Sequence, residues 1–250
     1  MTVVLVHGNP ETDALWDPLV EALGRDDVIR LSPPGFGAPV PHGWAGTYLD
    51  YRDWLVGELA RIDGPIDLVG HDWGGNHVVN AMMLRPELVR SWATDIIGVF
   101  DPEYIWHEAA QIWQTPGAGE QFVEALIGGS VQDRAGRLTA LGITDDVAAK
   151  IAVGLGPEMG AAILGLYRSV SGDVLAEEGR RLGNAAVRPG LCLLATEDHY
   201  TGSEEIRRRA AGRAGARTEV LEGLGHWWMV QDPVRGAAAL TDFWDSLAAV

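Results

Sequence analysis

The chain has a single cysteine, Cys192, in the apolar run GLCLLAT, so no intrachain disulfide is possible. That usage fits a reducing compartment, and a cytoplasmic location is the expectation. Basic residues are also scarce: 19 Lys and Arg stand against 35 Asp and Glu, a net charge of −16. Nucleic-acid binding needs Lys and Arg to displace counterions, so this balance argues against it. The acidic excess reads instead as a solvated surface that aids solubility. No apolar run approaches the ~20 residues that a membrane span needs. The opening MTVVLVHG has neither the basic region nor the long apolar segment of a secretion signal, and reads as a buried strand. Repeats, low-complexity segments and Gly/Ser or Pro linkers are missing too, which points to one continuous domain.

What is present is the pattern of a globular α/β protein. The 250 residues, 47% of them hydrophobic, suffice for one sizeable core. Short β-rich runs (VVLVHG, DVIRL, PIDLVG, VRSWATDII) alternate with stretches of helical spacing, such as WDPLVEALG and GNHVVNAMMLRP. The rhythm breaks near Phe100 and resumes after Gly183 with the strands GLCLLATED and RTEVLEG and a closing helix, PVRGAAALTDFWDSLA. The expected architecture is a mostly parallel sheet of about six strands flanked by helices. Residues 1–99 and 184–250 form its core, and 100–183 form an inserted helical lid. An insertion there lies over the carboxyl ends of the strands, where open α/β sheets bind ligands.

The segment LVGHDWGGN carries the first chemical signal. Its glycines, Gly70 and Gly74, have the spacing of a nucleophile elbow, in which a strand turns sharply into a helix and exposes the central side chain. That central residue is Asp72. A carboxylate at a helix N-terminus is also what a simple cap looks like, so the partners decide between the two readings. Asp198 follows the strand GLCLLAT, with Glu197 beside it. His226 lies in a glycine-flanked loop between the last strand and the last helix. HGNP, His7 to Pro10, follows the first strand, so the backbone N–H groups of Asn9 and Trp73 are placed to hold one oxyanion. Nucleophile, acid and histidine thus come in the order of a hydrolase triad, with Asp95 as an alternative acid. No HExxH motif is present, and His71 and His77 lack partners at ligand spacing, so neither a metal nor a cofactor is expected. Trp73, Trp106, Trp113, Trp227 and Trp228, half of the ten tryptophans, adjoin these motifs and suggest an aromatic-lined pocket, although each alone fits ordinary core packing.

HGNP, GHDWGG, the post-strand ED and GHWW together resemble the α/β-hydrolase superfamily, and more narrowly its aspartate-nucleophile branch of epoxide hydrolases and dehalogenases. The likeness spans nearly the whole chain and is weakest across the lid. It departs from the family in that Met1 almost directly precedes the oxyanion-loop strand, so the sheet is expected to lack the usual first two strands. The resemblance implies that Asp72 attacks an sp³ carbon and forms an alkyl ester of the enzyme. His226, oriented by Asp198, then activates a water that hydrolyses the ester.

The leaving group depends on the donors opposite Asp72. By similarity to the lid segments of epoxide hydrolases, GLYRSVSGD nominates Tyr167, and EYIWHEAAQIW nominates His107 with Tyr104 as a substitute. By similarity to haloalkane dehalogenases, Trp73 and Asn9 would bind a departing halide. Fluoroacetate dehalogenases carry an arginine where Trp73 stands. The expected reaction is epoxide hydrolysis, with carbon–halogen hydrolysis as the alternative and a non-catalytic ligand-binding relative behind both. The expected partners are a small apolar organic substrate and water.

Overall fold

A computed structural model describes residues 1–248. Its six strands are β1 (Thr2–Val6), β2 (Val28–Leu31), β3 (Ile66–Gly70), β4 (Ser91–Thr94), β5 (Gly190–Ala195) and β6 (Ala216–Leu221). They form one sheet in the order β2-β1-β3-β4-β5-β6, and every pair is parallel. The residues of β3, β4 and β5 are all buried, as strands covered on both faces must be, and so their sequences run apolar instead of alternating. The edge strands β2 and β6 keep partial exposure and carry Arg30, Arg217 and Glu219.

Helices cover both faces. Helix α1 (Asp17–Leu23) has Pro18 in its first turn and ends at Gly24, whose φ of 60° is the left-handed conformation that glycine adopts without a Cβ clash. Helix α2 (Tyr48–Leu59) opens with a capping box in which Thr47 and Asp50 satisfy each other's backbone N–H groups. Helix α3 (Asp72–Leu84) is buried over most of its length. The fourth strand is shorter than the sequence pattern suggests: it stops at Thr94, and Ile97–Phe100 form a 3-10 turn.

Between β4 and β5 run α4 (Glu108–Gln114), α5 (Ala118–Ile127), α6 (Val131–Ala140), α7 (Asp145–Gly154), α8 (Pro157–Arg168) and α9 (Gly172–Gly179). Arg168 on α8 pairs with Glu120 on α5, and Lys150 on α7 reaches Asp17 on α1. Helix α10 (Glu204–Arg213) joins β5 to β6, and α11 (Trp228–Gln231) and α12 (Pro233–Ala248) follow β6. No single helix among the described residues is long and apolar enough to cross a membrane.

The sheet order reverses at β1: the chain moves to β2 on one side and to β3 on the other. At such a switch point the loops leaving neighbouring strands diverge and open a crevice at their carboxyl ends. Here the diverging loops are those after β1 and β3, which carry Asn9 and Asp72.

Candidate active site

Asp72 has a φ of 49° and is the only non-glycine with positive φ among the described residues. This is the strained strand-to-helix turn of an elbow. It requires close neighbours without side chains. A Cβ on Gly74 would overlap the carbonyls of Val6 and His7, and one on Gly8 would overlap the Asp72 carboxylate itself. The turn presses the carboxylate against the β1 loop: Oδ1 accepts a hydrogen bond from the Asn9 backbone N–H at 3.0 Å, and the Asn9 side-chain amide lies 3.4 Å from the same oxygen. Trp73 is buried beside it, but its N–H makes no hydrogen bond to Asp72, so only half of the expected donor pair is engaged.

The other carboxylate oxygen, Oδ2, accepts no hydrogen bond from the described residues and lies 3.7 Å from His226 Nε2. The second ring nitrogen, Nδ1, is 3.0 Å from Asp198 Oδ2, and the other Asp198 oxygen accepts from the Tyr200 N–H at 2.8 Å. Asp72, His226 and Asp198, expected together from the order of motifs, do converge. Glu197 is exposed and turned away.

Asp95, the alternative acid, has a different place. It is 1% exposed, and its Oδ1 accepts from the Asp72 N–H at 3.1 Å. Its Oδ2 meets His71 Nδ1 at 2.5 Å and Trp228 Nε1 at 2.8 Å. His71 Nε2 lies 3.2 Å from Glu11 Oε1, which also accepts from Trp227 Nε1 at 2.7 Å, while Glu11 Oε2 accepts from the Gly8 N–H at 3.0 Å. A buried Glu11–His71–Asp95 chain therefore anchors the oxyanion loop at one end and the elbow at the other. Burial alone would depress the His71 pKa, but the Asp95 and Glu11 charges outweigh it and hold it well above the usual imidazole range. Burial would raise Glu11, and His71 reverses that and keeps it ionised. Glu11, His71 and His226 also offer ligand atoms within 4.8 Å of one another. Both ring nitrogens of His71 face carboxylates, however, which leaves a protonated ring no lone pair for a metal. The sequence reading missed Glu11 and the role of His71. The one available signal was an acid directly after HGNP.

Above Asp72 is a cavity of about 370 Å³, and a small recess of about 30 Å³ adjoins it; Asp72, His107, Tyr167 and Tyr200 line both. Tyr167 is 2% exposed, which excludes a helix-surface position for its hydroxyl. Burial, and then the Asp72 charge, push its pKa well above the usual phenol value, while the Asn9 and Trp73 side chains pull back. His107 caps α4, its Nδ1 accepting the Ala110 N–H at 3.2 Å, so the ring proton resides on Nε2. Burial lowers its pKa to about 4, which makes it a neutral donor. Tyr104 is not the substitute that the sequence suggested, because its hydroxyl is spent on the Tyr200 carbonyl at 2.8 Å. Tyr200, which no sequence motif marked, packs against His226 with ring centroids 4.8 Å apart and planes tilted by 54°, and faces the cavity. Of the flanking tryptophans, Trp113 and Trp227 line the cavity and Trp73 and Trp106 the recess, but Trp228 is core, bonded to Asp95.

Burial lowers the His226 pKa, and Asp198 more than restores it, so the net shift is upward from 6.5. Asp198 itself, with burial opposing and His226 prevailing, is held at about 2. A base with a raised pKa is lost as the pH falls through that pKa. Asp198→Asn should therefore move the acid limb of the pH–rate profile to lower pH while lowering the plateau. Asp95→Asn should leave the limb in place. If Asp95→Asn shifts the limb and Asp198→Asn does not, the acid has been misassigned.

Comparison with known proteins places this geometry in context. A family model described as the alpha/beta hydrolase family matches residues 3–240. A hydrolase of (E)-2-((N-methylformamido)methylene)succinate from Acinetobacter baylyi is 28% identical over 109 residues, 43% of this chain and 41% of that protein. An epoxide hydrolase from Caballeronia sordidicola is 32% identical over 91 residues, 34% of this chain and 27% of that protein. The chain's matches thus span less than half the length of these curated relatives. Among solved structures, the haloalkane dehalogenase DbeA from Bradyrhizobium elkani superposes with a TM-score of 0.69 at 20% identity, covering 98% of this chain and 91% of that one, a likeness of fold.

Proposed function

The chain belongs to the alpha/beta hydrolase family, and within it we propose that Asp72 is a nucleophile that opens epoxides to diols through an alkyl-enzyme ester. The observation that carries this reading is the division of labour between the two Asp72 oxygens. Oδ1 is held by the Asn9 N–H, while Oδ2 accepts no hydrogen bond from the described residues and lies 3.7 Å from His226 Nε2. Burial raises the Asp72 pKa, with the His226 charge opposing. A poorly solvated carboxylate is a stronger nucleophile than one in water, and unlike a serine it needs no base before it attacks. Attack on an ester would give a mixed anhydride, so sp³ carbon is the better target.

In the first step Oδ2 bonds to an epoxide carbon, the carbon–oxygen bond breaks, and the alkoxide takes a proton from Tyr167 or from His107 Nε2. In the second step His226 Nε2 removes a proton from water, whose oxygen attacks the Asp72 carboxyl carbon. The negative charge then develops on Oδ1, where the Asn9 N–H already points and the free Trp73 N–H adds a second donor. Collapse breaks the ester carbon–oxygen bond, and the departing alkoxide takes the proton held by His226. The acid proton left on Asp72 returns to Tyr167 or His107, so the diol leaves and the starting state is restored. The helices α4 to α9 serve as the lid that keeps this chemistry away from bulk water.

A single turnover in heavy-oxygen water should label Asp72, because water attacks the enzyme's own carboxyl carbon; label found only in the product would rule the mechanism out. The second reading, carbon–halogen hydrolysis, is favoured by one feature: the Asn9 side-chain amide and the Trp73 ring stand next to Asp72, where a halide would depart. The two readings rank variants in opposite order. For epoxide opening, Tyr167→Phe should slow alkylation by ~10²-fold or more and Asn9→Ala much less, since the backbone N–H survives. For a bromoalkane the order should reverse. Pre-steady-state alkylation with one substrate of each kind measures this, and a silent Tyr167→Phe on the best epoxide would remove the epoxide reading.

A further inference from the structure

The cavity wall contains one charged side chain that the proposed chemistry does not use. Arg137, on α6, is the only Lys or Arg lining it, among Phe122, Leu126 and Leu141. Its guanidinium is incompletely satisfied. The side chain is half-buried: one Nη donates to the Gly128 carbonyl, Nε is buried without a partner among the described residues, and the Asp133 carboxylate feels its charge without pairing to it. Arg134, one turn earlier, shows the contrast, with its donors spent on the carbonyls of Ala152, Ile127 and Gly129. Asp133, the nearest acid in sequence, is taken up by Ser130 at the start of α6. A guanidinium with its Nε buried and unpartnered beside an apolar cavity carries a desolvation cost that a ligand acceptor would relieve. It is suited to an acceptor that arrives with the ligand.

We infer that Arg137 binds a carboxylate on the substrate, so that the cavity takes an amphiphilic acid and not a wholly apolar molecule. The planar guanidinium matches a carboxylate's two oxygens. Asp72 is itself an anion lining the same cavity, and two anions repel. The substrate's carboxylate must therefore be separated from the reacting carbon by an apolar spacer, which the remaining wall residues accommodate. The class is an ω-epoxy carboxylic acid, with the reacting end at Asp72 and the acid at Arg137. The epoxide part of this description rests on the proposed function; the carboxylate part does not.

The test separates the two. Binding of 7-octenoate and of its amide, neither of which has a reacting group, is followed by isothermal titration calorimetry. The wild type should bind the acid at least tenfold more tightly than the amide, as expected for a charge-assisted contact. Arg137→Gln should reduce that preference to within twofold, and Arg137→Lys should restore most of it. Amide affinity should stay within twofold throughout, which shows that the variants keep the cavity. Equal affinity for acid and amide in the wild type, or a preference that survives Arg137→Gln, overturns the inference. Turnover of 7,8-epoxyoctanoate is then compared with that of its amide. An acid preference in binding without epoxide opening would uphold Arg137 and sink the epoxide reading, and epoxide opening without an acid preference would do the reverse.

Discussion

His226→Gln should become heavier by the mass of the substrate and stay so. The first step needs only the free Oδ2 of Asp72 and a donor across the cavity, so alkylation survives the change. The second step loses its base. Glutamine cannot take a proton from water, and loss of general-base catalysis costs about 10²–10⁴-fold, enough for the ester to accumulate and be seen by mass spectrometry. Peptide mapping should place the adduct on Asp72, and Asp72→Asn should show no adduct because a neutral amide is a poor nucleophile. The raised His226 pKa adds a pH signature. In the wild type, acid conditions protonate His226 and should also let ester build up, with the effect vanishing as the pH rises through the His226 pKa. A His226→Gln protein that turns over near the wild-type rate, or that is inactive with no adduct, would remove histidine from the second step.

The second large effect concerns stability. His71 lies between Glu11 and Asp95, all three at 0–1% exposure. His71→Leu would leave two buried carboxylates without their counter-charge, and breaking a buried ion pair in this way costs about 3–5 kcal/mol. For a chain of this length that is a fall in Tm on the order of 10 °C. The pH dependence follows from the signs of the shifts. His71 has its pKa raised in the fold, so its contribution is complete below its unfolded pKa of about 6.5 and disappears as the pH rises through the folded value. Glu11 has its pKa lowered by His71, so that pairing contributes above its unfolded pKa and is lost as the pH falls through the folded one. The deficit of the variant should therefore be greatest between the two unfolded pKa values, from about pH 4.5 to about pH 6.5, and shrink on both sides. A deficit that is flat from acid to alkali would mean that packing, not charge, accounts for the loss. Activity should fall as well, since the same chain holds Gly8 and the Asp72 N–H in place.

Much of this molecule can be read from its sequence because the informative features are local. The strand-forming runs are short, apolar and bounded by glycine and proline, and a parallel sheet buried on both faces demands that composition. The elbow announces itself because only glycines fit around a residue with a φ of 49°. The order Asp72, Asp198, His226 follows from which strands lead into which loops, so the candidate triad and the loop carrying Asn9 could be named without coordinates. Side chains that depend on orientation could not. Tyr104 and His107 stand three residues apart, and nothing in their sequence shows that one hydroxyl turns to the Tyr200 carbonyl while the other ring is fixed with its Nε2–H free. Asp95 stood as the alternative acid behind Asp198, and the fold directs it instead to His71 and the Asp72 N–H. Glu11 and Trp227 are 216 residues apart along the chain and 2.7 Å apart in space. Nothing local in its sequence marks Arg137, and only the folding of the helices around the cavity sets it on the wall. The sequence determined the backbone path and the candidate reacting groups, because propensity and steric permission act over a few residues. The tertiary structure alone decided which donors are free and which are spent, because that is a contest among groups the chain brings together only when it folds.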